Sequence, residues 1–349
     1  MKTKYYLLLS CLCFLFVTSV NAQNLVLPQA SQCSEVKQTL GSTLIDIVYH
    51  SPYVNKRQVW GELVPYGKVW RAGANENTTI SFTDDVTIEG KPIPAGIYGL
   101  HIIPNENEWT MIFSKDHTSW GSYFYNQNED ALRVTVKPAS REYQDWLDYT
   151  FTDRKAESAK VSMSWEKMKV SFTVAADVKA ITLKRIREQL RNTPAFGWHG
   201  WEEGAHYCIE NKFNYDEALT WINRSIVMEE NYTNVAAKAQ LLTLMGNTAS
   251  AAETKKKVLA LIGQAGEASM NAFGYELMNE NDLPMALEVF KLNTKKHPDS
   301  WNAFDSMAEA YASAGDKKQA LTNYKTALKT APDDQKERIK KAIATLEKG

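Results

Sequence analysis

The chain has 349 residues, 44% of them hydrophobic and 23% charged, with 40 Lys and Arg against 41 Asp and Glu. A net charge of −1 at pH 7 lacks the basic excess that nucleic-acid binding requires, and the length favours two domains over one. The 4 cysteines contain no CxxC pair, so neither a disulfide-stapled scaffold nor a zinc or redox motif is expected.

Residues 1–22 have the form of a secretory signal peptide. Lys2 and Lys4 precede the apolar run Tyr5 to Val20, and Val20 and Ala22 suit cleavage after Ala22, leaving a mature start at Gln23. The expected location is the periplasm or cell envelope. A rival reading takes Leu8-Leu9-Ser10-Cys11 as a lipoprotein signal, but the apolar core ahead of Cys11 is short. No other long apolar run follows, so no transmembrane segment is expected in the mature chain. Cys33 and Cys208 remain there as reduced or buried thiols.

Residues 23–31 form an N-terminal segment, and residues 32–175 alternate as short strands. In Ser42 to Tyr49 the residues Ile45, Ile47 and Tyr49 share one face for burial, while Asp46 keeps the other partly polar. Further strands are predicted at Gln58 to Leu63, Thr78 to Phe82, Val86 to Ile88, Gly96 to Ile103, Trp109 to Phe113, Ala131 to Val136, Tyr149 to Phe151 and Ala159 to Val174. Glu89-Gly90-Lys91 supplies a hairpin glycine, and Pro65-Tyr66-Gly67 and Pro94-Ala95-Gly96 supply corners. Many short strands without intervening helices predict an antiparallel β-sandwich.

The period then changes. Leu183, Ile186 and Leu190 fall on one helical face, predicting a linking helix within residues 176–197. Pro298 and Pro332 stand 34 residues apart, the tetratricopeptide period, with Phe304, Met307, Ala308, Tyr311, Ala320, Tyr324 and Ala327 at the motif's large and small positions. A preceding copy has Phe273, Gly274, Leu277, Ala286 and Phe290. An upstream one has Ala205, Phe213, Tyr215, Ala218 and Ile222. Asn234 to Leu261 reads as a degenerate copy with Gly246 at its turn. Residues 198–334 thus resemble an α-helical tetratricopeptide-like repeat array of four copies, with a charged capping helix in 335–349. The resemblance implies a concave surface for a protein partner.

The strand region carries a distinctive concentration: Trp60-Gly61-Glu62-Leu63-Val64-Pro65-Tyr66-Gly67, then Val69-Trp70-Arg71-Ala72-Gly73-Ala74-Asn75-Glu76-Asn77-Thr78-Thr79. With Pro94 to Tyr98, Trp109-Thr110 and Trp120-Gly121-Ser122-Tyr123, it resembles the secreted bacterial family known as domain of unknown function 2911. That resemblance implies no activity, cofactor or catalytic residue.

Read chemically, Trp70, Arg71, Asn75 and Glu76 have the parts of a site for a glycan or other small polar ligand. An indole face covers apolar surface while the polar groups fork hydrogen bonds to hydroxyls. The plain alternative has Trp60 and Trp70 in the core, Gly73 at positive φ, and Arg71 paired with Glu76. An enzymatic alternative is a hydrolase of glycan or envelope material, with Glu76 as acid or base and Arg71 fixing substrate. Asp84-Asp85 reads as a solvated turn. His101, alone on a strand, reads as a satisfied or outward-facing residue. The metal candidate is His199, Glu202 or Glu203, and His206, although its spacing matches no zinc motif and metal-free helix is preferred. No GxSxG elbow, P-loop or dinucleotide fingerprint occurs, so no cofactor is expected. The favoured function is an exported, noncatalytic binding or adaptor protein.

Overall fold

A computed structural model describes residues 27–348. The signal peptide and the Cys11 alternative lie outside the described residues. The chain divides into two compact units between Ala176 and Asp177, and each is described by itself.

The first unit is two antiparallel sheets. The strands are β1 (Gln32–Leu40), β2 (Thr43–Ser51), β3 (Thr79–Phe82), β4 (Val86–Ile88), β5 (Lys91–Ile93), β6 (Gly96–Ile103), β7 (Trp109–Ser114), β8 (Asp130–Val136), β9 (Ala139–Thr152) and β10 (Ser158–Ala175). One sheet runs β1-β2-β3-β6-β7-β8 and the other β5-β4-β10-β9. The alternation in β2 does what its pattern predicts: Ile45, Ile47 and Tyr49 are buried and Asp46 is not. Facing them across the core are Tyr149 on β9 and Trp165, Val170, Phe172 and Val174 on β10. Glu89 and Gly90, at φ 48° and 76°, make the tight β4–β5 turn with the positive φ pair that suits strand twist.

Gln58 to Leu63 is not a strand. Its backbone closes on itself instead, with Val64 N–H donating to Val59 O and Gly61 N–H to Val64 O. Alternating apolar residues there serve a loop that tucks Val59 and Val64 inward. β9 is much longer than the predicted Tyr149–Phe151, because polar residues such as Arg141 and Gln144 hide the extended first half. Cys33 is exposed on β1 and Cys208 is buried, both free.

The second unit is helical. After α1 (Val178–Gln189) come four hairpins: α2 (Trp198–Glu210) with α3 (Tyr215–Met228), α4 (Tyr232–Leu244) with α5 (Thr248–Ile262), α6 (Glu267–Asn279) with α7 (Leu283–Lys296), and α8 (Trp301–Ser313) with α9 (Lys317–Thr330). α10 (Asp333–Lys348) covers the last hairpin through Ile339, with Arg338 reaching Asp305 at 2.5 Å. The first helix of every hairpin has 13 residues.

The sequence that looked degenerate between Asn234 and Leu261 is a regular hairpin. Its small residues Ala239 and Ala251 stand where the other copies have Ala205, Gly274 and Ala308, and Ala218, Ala286 and Ala320. At Gly274 the space is filled: an added Cβ would lie 2.4 Å from the Phe290 ring. The turns also repeat, since Lys212, Gly246, Asn281 and Gly315 all have positive φ. That left-handed residue ends the first helix of each pair and starts the chain back. Among the described residues no helix is long and apolar enough to cross a membrane.

Candidate functional site

The site in the sandwich begins with one backbone pairing. Trp70 N–H donates to Ile102 O and Ile102 N–H donates to Trp70 O, both at 2.8 Å, so the loop after Gly67 continues the sheet beside β6 where β3 has ended. The loop is then pinned from inside. Ala72, at φ 54° and fully buried, offers its carbonyl to the Thr78 hydroxyl at 3.1 Å and the Tyr149 phenol at 2.8 Å. Gly73 is essential for space rather than for φ, since a Cβ there would fall 2.7 Å from Thr78 Oγ1. The positive φ expected at Gly73 belongs to its neighbours Ala72 and Asn75.

Trp70 is half-buried. Its ring stacks on Trp165 with 5.8 Å between centroids and meets Trp60 edge-on, while Nε1–H donates to Gly73 O at 3.1 Å. One side chain therefore both packs against the core and lines a cleft. Its neighbour Arg71 passes Gly121 so closely that a Cβ there would be 3.3 Å from Nη1. Together they line a cleft of about 240 Å³ with Leu63, Val69, Ser122 and Tyr123.

Ser122 is held by a residue that sequence reasoning set aside. Its Oγ lies 3.0 Å from Nδ1 of His101. His101 points away from the sandwich core, yet the segment after β7 roofs it and leaves it only 2% exposed. Burial pushes its pKa down to about 4, outweighing the pull of Asp130 and Asp116, so the imidazole is neutral at pH 7. Asp130 Oδ2 is meanwhile taken by the Tyr125 hydroxyl at 2.8 Å and Arg133 Nε at 2.5 Å. The Gly121-Ser122 step in Trp120-Gly121-Ser122-Tyr123 was the available signal, but nothing in its spacing pointed to His101.

Asn75 and Glu76 do not join Trp70 and Arg71. Asn75 Nδ2 donates to Gln29 Oε1 at 2.6 Å and Ser31 O at 3.3 Å, so it ties down the N-terminal segment. Glu76 is exposed and meets His50 Nδ1 at 3.3 Å. No Arg71–Glu76 ion pair is found among the described residues. A short loop that bends at Ala72 and again at Asn75 sends its two halves to different places.

In the helical unit, a groove of about 690 Å³ crosses the ends of three first helices, lined by His206, Glu210, Gln240, Leu244, Asn279 and Glu280. Burial together with Glu276, Glu210 and Asp282 pushes the Glu280 carboxyl up to about 7. His206 Nδ1 lies 3.8 Å from it. Glu202, buried and with Oε1 lacking a partner, is drawn upward by the same loss of water. Its field reaches His199 and His206, whereas Glu203 lines a separate cleft with Ile186 and Pro194. Glu203 and His206 of the proposed His199, Glu203 and His206 set thus line different clefts. Among the described residues no group of three or more His, Cys, Asp or Glu could hold a metal ion.

No curated protein matches this chain. Solved structures similar to its helical part include the C-terminal part of a TPR repeat-containing protein from Cytophaga hutchinsonii, 14% identical with a TM-score of 0.28 over 44% of this chain and 60% of that one. This match therefore spans less than two thirds of the first structure. Others are YrrB, described as a TPR protein with an unusual peptide-binding site, at 20% identity and TM-score 0.25 over 44% and 79% of the two chains, and yeast Tom70, at 12% and 0.26 over 47% and 42%. The stretch that forms the two sheets, residues 31–174, matches the family described as "Protein of unknown function (DUF2911)".

Proposed function

We propose that the chain is an exported adaptor whose helical array holds a basic segment of a protein partner and whose sandwich holds a small polar ligand. The observation that carries the first half is the groove across α2, α4 and α6. Glu210, Glu276, Glu280 and Asp282 outnumber the lining cation Lys212 there, and burial together with the neighbouring carboxylates lets Glu280 hold its proton up to about pH 7. A Lys or Arg side chain laid along the groove relieves that repulsion, so cationic segments gain affinity and acidic ones lose it. Stacked helical hairpins present such surfaces to extended segments.

The sandwich half rests on the cleft at Trp70 and Arg71, an apolar wall with a few polar groups. Glycans are within that class. Export rests on the charged start, apolar run and Ala22 cleavage site of residues 1–22.

Titrating the purified chain with Lys-rich, neutral and Glu-rich peptides of equal length tests the groove. Lys-rich peptides should bind best, and their affinity should fall with added salt and with Glu280→Gln. Equal affinity for all three overturns the reading. Screening against a glycan panel tests the second half, and N-terminal sequencing of protein from the cell envelope tests export: a start at Gln23 supports it, and an acylated start at Cys11 replaces it.

A further inference from the structure

The cleft at Trp70 has a one-sided electrostatic character. Its charged lining residues are Lys68 and Arg71, both cationic, and no carboxylate lines it. Exposed Lys68 is solvated, but Arg71 is only partly so. Its side chain is partly withdrawn from water, its Nε is buried with no acceptor, and no carboxylate pairs with it among the described residues. Loss of water pulls the guanidinium pKa down, opposed only by the field of the Tyr123 phenol. A partly buried cation without a partner is costly, and the fold keeps it by pinning Trp70 to Ile102 and packing Gly121 beside the guanidinium.

Beside it stands Ser122, already fixed by His101. In the Nδ1–H tautomer the imidazole donates to Ser122 Oγ, which frees the hydroxyl proton to point at an acceptor in the cleft. The remaining walls, Leu63, Pro65, Val69 and Trp70, are apolar. A volume of about 240 Å³ admits only a small molecule. A serine–histidine pair also suits nucleophilic chemistry, but among the described residues no carboxylate hydrogen-bonds the His101 ring, and Asp130, which acts on it through its field, gives Oδ2 to Tyr125 and Arg133.

We propose that this cleft binds a small carboxylate with an apolar body, its carboxylate held by the Arg71 guanidinium and the Ser122 hydroxyl and its body lying along Val69 and Trp70. The inference rests on the ligand-cleft reading above and narrows the ligand to an anion.

The test compares benzoate with benzamide, which share a body and differ in charge. Full-length protein labelled with nitrogen-15 is titrated with each, following the Arg71 Nε–H resonance, assigned by its loss in Arg71→Lys. Benzoate should shift that resonance saturably and benzamide should bind about tenfold more weakly or not at all. Ser122→Ala should weaken benzoate several-fold while leaving the Arg71 resonance responsive, and it keeps the test open should Arg71→Lys fold poorly. Equal binding of benzoate and benzamide, abolished by Trp70→Ala, would sink the anion inference and leave the cleft reading standing. Absence of binding by either compound up to about 10 mM overturns both. Benzoate binding that survives in Arg71→Lys with unchanged affinity overturns the assignment of Arg71.

Discussion

The two units bury similar aromatic side chains but tie them together over very different lengths of chain. In the sandwich the Tyr49 hydroxyl donates to Asp148, 99 residues away, and Trp70 stacks on Trp165 from the opposite sheet. In the helical array the Tyr275 hydroxyl bonds Ser306, 31 residues on, and Arg338 meets Asp305 at a separation of 33. The sandwich therefore has no part that is complete before its distant strands meet, whereas each hairpin of the array depends chiefly on its neighbours. Damage should spread through the first unit and stay local in the second.

Two large deletions break or confirm that contrast. Trp165, 1% exposed, and Phe290, fully buried, should each cost about 3–5 kcal/mol when replaced by Ala. Hydrogen exchange distinguishes their reach. Trp165→Ala should release amides in all strands of both sheets together, while Phe290→Ala should release α6 and α7 first and leave α2 and α3 protected longest. Uniform loss across the array would show that it melts as one unit and that the contrast is false.

Two glycines sharpen it at about half that size. A Cβ on Gly99 would stand 2.3 Å from the backbone oxygen of Asp116, which cannot swing aside, so Gly99→Ala should cost about 1–3 kcal/mol and disturb the roof over His101. Gly246 has nothing near a Cβ and only its φ of 79° to defend, so Gly246→Ala should cost about 1–2 kcal/mol. Chemical denaturation of both variants checks the order. A larger loss for Gly246→Ala would mean that the inter-helix turn, not packing, governs the array.

Trp70→Ala probes the border between core and cleft. Its half-buried ring should contribute about 2 kcal/mol, between a surface substitution and a full core deletion, and a wild-type denaturation curve would contradict its place against Trp165.

The last effect is electrostatic and shows only as a pH dependence. The Glu280 carboxyl is raised from 4.5 to about 7 in the fold, so its contribution to stability is fully present below about pH 4.5 and is lost as pH rises through 7. Glu280→Gln removes that loss. The melting temperature of the variant relative to wild type should climb from about pH 5 to pH 8, and a flat difference would mean that neither burial nor Glu276, Glu210 and Asp282 raise it.

Much of this molecule could be read from the order of its residues. Alternation in Thr43–Ser51 and the 34-residue spacing of Pro298 and Pro332 are local periodicities, and local periodicity fixes which side of a strand or helix is buried. The same logic explains the degenerate copy: Ala239, Gly246 and Ala251 keep the close approach and the turn while the aromatic position is given up. The candidate site was legible only in part. Trp70 and Arg71 share a cleft as their composition suggested, but Asn75 and Glu76 leave it, because a bend at Ala72 and another at Asn75 are set by contacts with Thr78, Tyr149 and His50 rather than by their own sequence. His101 and Ser122 came together only through the pairing of β6 with β7 and the roof that follows it. Periodicity determined the elements and the repeats, and tertiary structure alone decided which polar groups meet, since such meetings depend on the register between segments that no local pattern encodes.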